Sequence, residues 1–262
     1  MNGQPGIGVN LSFTKFLFIV PRRDDASTLM CVRAAGATIG RGFFNDYDAD
    51  GMRDVQPQET IQFLMTEGPV GTREGPGAAR YVVQVSANYR PRLQDVEGEL
   101  KRRIGAVAEV IVVNGAERAL RYSSAEMYHY AYKRAIPRMS GRAGRNAVIL
   151  PINKTPDWWK QTPLERHVYF YPHHDAATGR QVKGHAGAAE AGISTISRRL
   201  YHNPDGYQRD HEFDFVTYFE CADEHLPVFD QICRALRDER ENPEWRYVLE
   251  APEWRGHRVL HW

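Results

Sequence analysis

Cysteine is scarce. The 262-residue chain has three, Cys31, Cys221 and Cys233, and none belongs to a CxxC pair. An odd number cannot all pair, which argues against a disulfide framework or a thiolate zinc site and fits a reducing, cytoplasmic compartment. Long apolar runs are missing too. The run near the start, Phe16-Leu17-Phe18-Ile19-Val20, ends at Pro21-Arg22-Arg23. It is far short of the roughly 20 residues that span a bilayer, and shorter than the ~7–15 of a signal-peptide core. An excess of either charge is also absent: 34 Lys+Arg against 33 Asp+Glu leaves +1. That balance offers no footprint for nucleic acid and no polybasic membrane anchor.

What is present is an ordinary globular composition, 42% hydrophobic and 26% charged, so wholesale disorder is excluded. Ten His, thirteen Tyr and five Trp are the unusual part and point to an aromatic-rich pocket. The length fits one large domain or two small ones.

Residues 1–11, with Gly, Asn and Pro, read as a loose arm. Ser12–Val20 reads as a buried strand, and the glycine-punctuated stretch 34–80 as loop. Tyr81–Val85 is strand-like. Leu93, Val96, Leu100 and Ile104 fall at helical spacing, Ala108–Val113 is a second strand, and Ser124–Ile136 reads as a helix stopped by Pro137. The second half repeats the plan. Ala147–Ile152 is a strand, and Phe213, Phe215, Thr217 and Phe219 share one face of another. Leu226, Phe229, Ile232, Cys233 and Leu236 mark a helix face, and Trp245–Leu249 a closing strand. The repeat predicts an α+β chain of two halves, 12–138 and 145–262. Their sheets would pack on each other across a small, basic, flexible joint at Met139–Gly144.

Two motifs carry less than they first promise. Asp46-x-Asp48-x-Asp50-Gly51-x-x-Asp54 begins like a calcium loop, but its twelfth position is Pro57 where a bidentate Glu is needed. It reads as an acidic surface turn. His167, His173 and His174 with Asp175 fit no metal-ligand spacing, and Pro172 interrupts any helix that could align them. Solvated loop histidines are the plainer reading.

The segment from Trp158 onward is the informative one. Trp158-Trp159 is followed by Thr162-Pro163-Leu164-Glu165-Arg166. His185 comes next, and Arg198 thirteen residues later in the string Arg198-Arg199-Leu200-Tyr201-His202. The string Thr217-Tyr218-Phe219-Glu220 closes the set. Together these resemble the chlorite dismutase family of haem proteins, over residues 147–250 and, in the N-terminal half, in strand order alone. The resemblance implies two ferredoxin-like halves forming a dimeric-type α/β barrel, with haem b in the C-terminal half and a pentameric or hexameric homo-oligomer.

Carried over position by position, His185 resembles the axial ligand of the haem iron. Glu241 falls where a carboxylate would hydrogen-bond that histidine, with Glu244 as the substitute. Arg198 matches a distal arginine that steers and holds anions. Trp158 resembles a tryptophan at the haem edge, Trp159 stands beside it, and Tyr122 matches a propionate contact. Between the tryptophans and His185 the chain is about a dozen residues longer than the family pattern. Counting from Trp159 would make His173 the ligand; counting back from Arg198 makes it His185. The second count aligns without gaps, so the extra residues fall near 171–183, as a lid or an oligomer contact.

The implied activity is a haem oxidoreductase converting chlorite to chloride and dioxygen, with small anions or other small molecules as substrates. The rivals are a peroxidase or biosynthetic oxidase with another substrate, a coproheme decarboxylase, and a haem sensor or carrier without turnover. Decarboxylation needs a reactive tyrosine at the place of Trp159, which has no phenol.

Overall fold

The computed structural model describes residues 12–45, 47, 59–66, 74–117, 129–134 and 136–262. In chain order the elements begin with β1 (Ser12–Pro21), α1 (Ala26–Ile39), β2 (Phe44–Asn45), β3 (Glu59–Met65), β4 (Tyr81–Ala87), α2 (Arg90–Ile104) and β5 (Ala108–Glu117). Then come β6 (Asn146–Lys154), α3 (Pro156–Lys160), α4 (Pro163–Val168) and a hairpin of β7 (His173–His174) and β8 (Gln181–Val182). Last are α5 (Gly184–Ala189), β9 (Ser197–His202), β10 (Phe215–Cys221), α6 (Leu226–Arg237), β11 (Val248–Glu250) and β12 (Trp254–Val259).

Four strands of the first half lie in the order β5-β1-β4-β3, and four of the second in the order β9-β10-β6-β12. Each half is therefore a β-α-β-β-α-β unit with its first and third strands at the centre, the ferredoxin-like arrangement. The halves do not stack face on face. They join edge to edge, β3 on β12 and β5 on β9, and every neighbour in the resulting ring is antiparallel. Closure leaves the ring strands no free edge.

Strand alternation explains the layers. Phe16 and Phe18 of β1 point into the ring with Leu64, Val82, Ile149, Val216, Tyr218 and Trp254. Leu17 and Ile19 point outward and pack under α1 and α2. On α2 the buried positions are Leu93, Val96, Leu100 and Ile104, the spacing legible in the sequence. Each such side chain contributes about 1.5–3 kcal/mol by leaving water.

The interior is not wholly apolar. Glu220, on the inward row of β10, accepts from Tyr218 (2.8 Å), Arg138 (3.0 Å) and Arg258 (3.2 Å). The Tyr218 hydroxyl also lies 3.0 Å from the Gln62 amide oxygen on β3, the alternative acceptor for its proton.

Several expectations need correction. The stretch 34–80 holds the last six residues of α1 and all of β3. Gly36 and Gly40 read as loop punctuation, but Gly36 is a contact point: a Cβ there would lie 2.9 Å from the Trp262 ring. Asp25 caps α1 by accepting from the Thr28 amide at 2.8 Å. Residues 243–247 form a 3₁₀ turn with only the short β11 after it, and the closing strand of the ring is β12. Phe213 precedes β10 and packs with the ring interior, away from Phe215, Thr217 and Phe219. The joint at 139–144 is held in place: the Gly141 amide donates to the Tyr47 carbonyl, and Arg258 donates to the Met139 carbonyl. The arm at 1–11, nearly all of the acidic run at 46–54 and residues 124–128 and 135 of the expected helix at 124–136 lie outside the described residues; His129–Lys133, within that expected helix, is a π-helical turn. No described helix is long and apolar enough to cross a membrane.

Gly115 faces the β5–β9 seam, where an added Cβ would come within 2.6 Å of Tyr201 Cβ. Gly115→Ala should cost about 1–3 kcal/mol through overpacking. Denaturant unfolding checks this, and unchanged stability would mean that the seam is looser than described.

Candidate functional site

The outward row of the second half covers a cavity instead of a fully packed helix layer. Leu150, Ile152 and Lys154 of β6, Arg198 and Leu200 of β9, and Phe215, Thr217 and Phe219 of β10 form its sheet wall. The facing wall comes from α5 with His185, from α6 and from the 3₁₀ turn Pro243–Tyr247 with Glu244. The lining is largely hydrocarbon, so its few charged groups interact more strongly than they would in water.

His185 lies in the first turn of α5, not in a loop. The preceding Gly184 has φ +65°, and a Cβ there would fall 2.5 Å from the Tyr171 carbonyl oxygen, so only glycine fits. The amides of Lys183 and Gly184 donate to the Glu241 carbonyl, and those of His185 and Ala186 to Tyr169 and Phe170. Phe170 also stacks on the imidazole at 5.9 Å.

His185 Nδ1 is 3.0 Å from Glu244 Oε2, and Lys154 Nζ donates to Glu244 Oε1 at 2.6 Å. Burial alone would raise the Glu244 pKa, but Lys154 and then His185 hold it well below the usual carboxylate range. Burial lowers the Lys154 ammonium from its ordinary value, against the pull of Glu244. With its carboxylate acceptor in place, Nδ1 carries the ring proton and Nε2 is left for the cavity.

Glu244 makes this bond, and Glu241 does not. The Glu241 side chain pairs with Lys183 at 3.3 Å, on the outer side of the same turn. The short insertions in this stretch blur the count from sequence by three residues. Lys154 gave no sequence signal beyond prolonging the outward row of Leu150 and Ile152.

Arg198 Nη2 donates to the Tyr130 carbonyl at 2.6 Å, and its guanidinium lies 4.0 Å above the Tyr130 ring. Burial raises the Tyr130 pKa, so its phenol stays neutral beside the cation. Trp158 is buried between Lys154, Tyr169 and Tyr247, its indole 4.1 Å from Lys154 Nζ, and neither it nor Trp159 lines the cavity. Trp159 stacks on Tyr207 (4.4 Å) and Phe215 (6.0 Å) and donates to Asp214. His173 binds the Tyr171 carbonyl through Nδ1. Tyr122 lies outside the described residues.

Among the described residues no group of three or more His, Cys, Asp or Glu could hold a bare metal ion. A lone imidazole backed by a carboxylate in an apolar slot suits a metal that brings its other donors with it, as a tetrapyrrole does.

No family model matches the sequence. The fold is nonetheless known. Chlorite dismutase from Candidatus Nitrospira defluvii, solved in complex with imidazole, superposes with a TM-score of 0.64 at 18% identity, covering 95% of this chain and 91% of that one. A tryptophan variant of the same enzyme in complex with cyanide gives 0.63 at 17%, covering 95% and 90%. TA0507, provisionally assigned as a chlorite dismutase, gives 0.63 at 13% and covers 95% of both chains. The chain therefore has the chlorite dismutase fold.

Glu244→Gln leaves the Lys154 ammonium, 5% exposed, without its counter-charge. Breaking such a buried pair should cost about 3–5 kcal/mol. The double change Lys154→Met with Glu244→Gln should cost less, because no buried charge remains. Urea unfolding of both variants checks this, and equal losses would mean that the pair contributes only packing.

Proposed function

We propose that the chain is a haem b oxidoreductase of chlorite dismutase type, converting chlorite to chloride and dioxygen. One observation carries the proposal: one apolar cavity holds His185 and Glu244 on one wall and, on the sheet wall facing them, Lys154 paired with Glu244 and a permanent cation, Arg198. Bound haem supplies the iron at which the Cl–O bond is broken and the O–O bond made.

The protein's own part is positional and electrostatic. His185 would hold the haem iron through Nε2. Glu244 accepts the Nδ1 proton and makes the ring a stronger donor, while Lys154 keeps Glu244 ionised. A guanidinium stays charged at any working pH, so Arg198 attracts chlorite and holds the released hypochlorite for recombination. Trp159 in place of a phenol counts against decarboxylation. A carrier or sensor would show the haem spectrum without evolving oxygen.

His185→Ala should abolish haem retention or convert the visible spectrum, and His173→Ala should leave it nearly unchanged. Swapped outcomes would place the ligand in the β7–β8 hairpin.

Arg198→Ala should keep the fold and the haem, because Arg198 is not a ligand. Oxygen evolution should fall roughly 100- to 1000-fold, the usual cost of losing one preorganised charged donor, and cyanide binding should weaken. Arg199 points to the other face of β9, donates to the Arg198 carbonyl and faces Glu117 at 3.8 Å. Arg199→Ala should do much less. Oxygen-electrode traces for both variants decide the matter, and parent-like activity in Arg198→Ala would sink the chlorite reading.

A further inference from the structure

Between α4 and α5, where the count from the sequence puts about a dozen extra residues, lies the β7–β8 hairpin. Its Asp175 is buried although the residues that follow it are exposed. A buried carboxylate is costly unless it is paired. Its partners are Thr178, whose hydroxyl donates at 2.8 Å, and Arg246, whose Nη2 lies 3.4 Å from both oxygens. Arg246 stands two residues beyond Glu244 on the same five-residue 3₁₀ turn.

Two further ties run the same way. The Tyr169 and Tyr247 hydroxyls are 3.2 Å apart, with His173 of the hairpin edge-on to Tyr169. Where the hairpin runs into α5, the amides of Lys183 and Gly184 bind the Glu241 carbonyl. Three attachments thus join the segment from Tyr169 to Gly184, which includes the hairpin, to residues 241–247, and its continuation carries His185.

A short 3₁₀ turn has little rigidity of its own. A hydrogen bond to a ligand works only if both partners are held within a fraction of an ångström. We infer that the β7–β8 hairpin, together with Tyr169 at the end of α4, is a brace for this side of the cavity, in which Asp175, through Arg246, and Tyr169, through Tyr247, are positioning residues that hold Glu244 on His185 Nδ1. It covers no part of the cavity mouth as a lid would: none of residues 171–183 lines the cavity. The effect on an iron ligand rests on the haem reading above, but the hydrogen bond itself does not.

The test uses the full chain in two states. In the haem-free protein, the His185 ring proton should give a downfield, slowly exchanging NMR signal. In the haem-loaded ferrous protein, resonance Raman reads the iron–histidine stretch. Asp175→Asn, which keeps the shape but removes the charge facing Arg246, should speed exchange of the ring proton and lower the stretching frequency. Arg246→Gln should do the same, and the double variant should be no worse than either. Tyr169→Phe should give a smaller shift in the same direction and serves if the charge variants do not fold. A lower melting temperature with unchanged ring-proton exchange and unchanged stretch would overturn the brace. A parent that binds no haem would overturn the proposed function, and the ring-proton signal would still judge the brace.

Discussion

Closure of the sheet is the constraint on which the rest depends. Once β3 meets β12 and β5 meets β9, each ring strand has one row of side chains enclosed and one row facing outward, and both must be accommodated. The first half covers its outward row with α1 and α2 and becomes a plain hydrophobic layer. The second half covers its row only partly: α5 is short, and α6 stands off far enough to leave a slot. The site is the difference between two copies of one plan.

Within that slot the energetic balance is unfavourable by design. Lys154 and Glu244 are both buried, and a pair of that kind seldom stabilises a fold beyond what apolar residues of the same size would achieve. What it provides is orientation. The Glu244 carboxylate has one oxygen for the lysine and the other for the imidazole, which fixes which ring nitrogen carries the proton. Across the slot, Arg198 lies on the Tyr130 ring and is tethered to the Tyr130 carbonyl, so its position is set before any anion arrives.

Much of this was legible where local pattern and tertiary role agree. The α2 stripe and the β10 alternation from Phe215 to Phe219 survive in the structure, and His185 and Arg198, thirteen residues apart, line the same cavity. The misses share a cause: the deciding partner is remote in sequence. Gly36 looks like a breaker until Trp262 is packed on it. The strand β3 hides in a stretch that reads as loop, and its inward Gln62 is placed by Tyr218, 156 positions away. The choice between Glu241 and Glu244 depends on how a 3₁₀ turn faces a helix that begins more than fifty residues earlier. Lys154 could not be told from an edge residue because its partner belongs to that same turn.

The distance between β3 and its partner has a consequence for how the chain is made. The Trp262 indole donates to the Leu64 carbonyl from 198 positions away, and β12 pairs with β3 across nearly the same span. On a ribosome, β3 emerges early; β2 can cover its Thr60–Ile61 end, but the Phe63–Met65 part of its outer edge waits for β12 while almost all of the remaining chain is synthesised. An open edge of that kind is a template for pairing with another nascent chain. The first half carries its own helices but cannot close its own sheet, so it depends for solubility on a strand that does not yet exist.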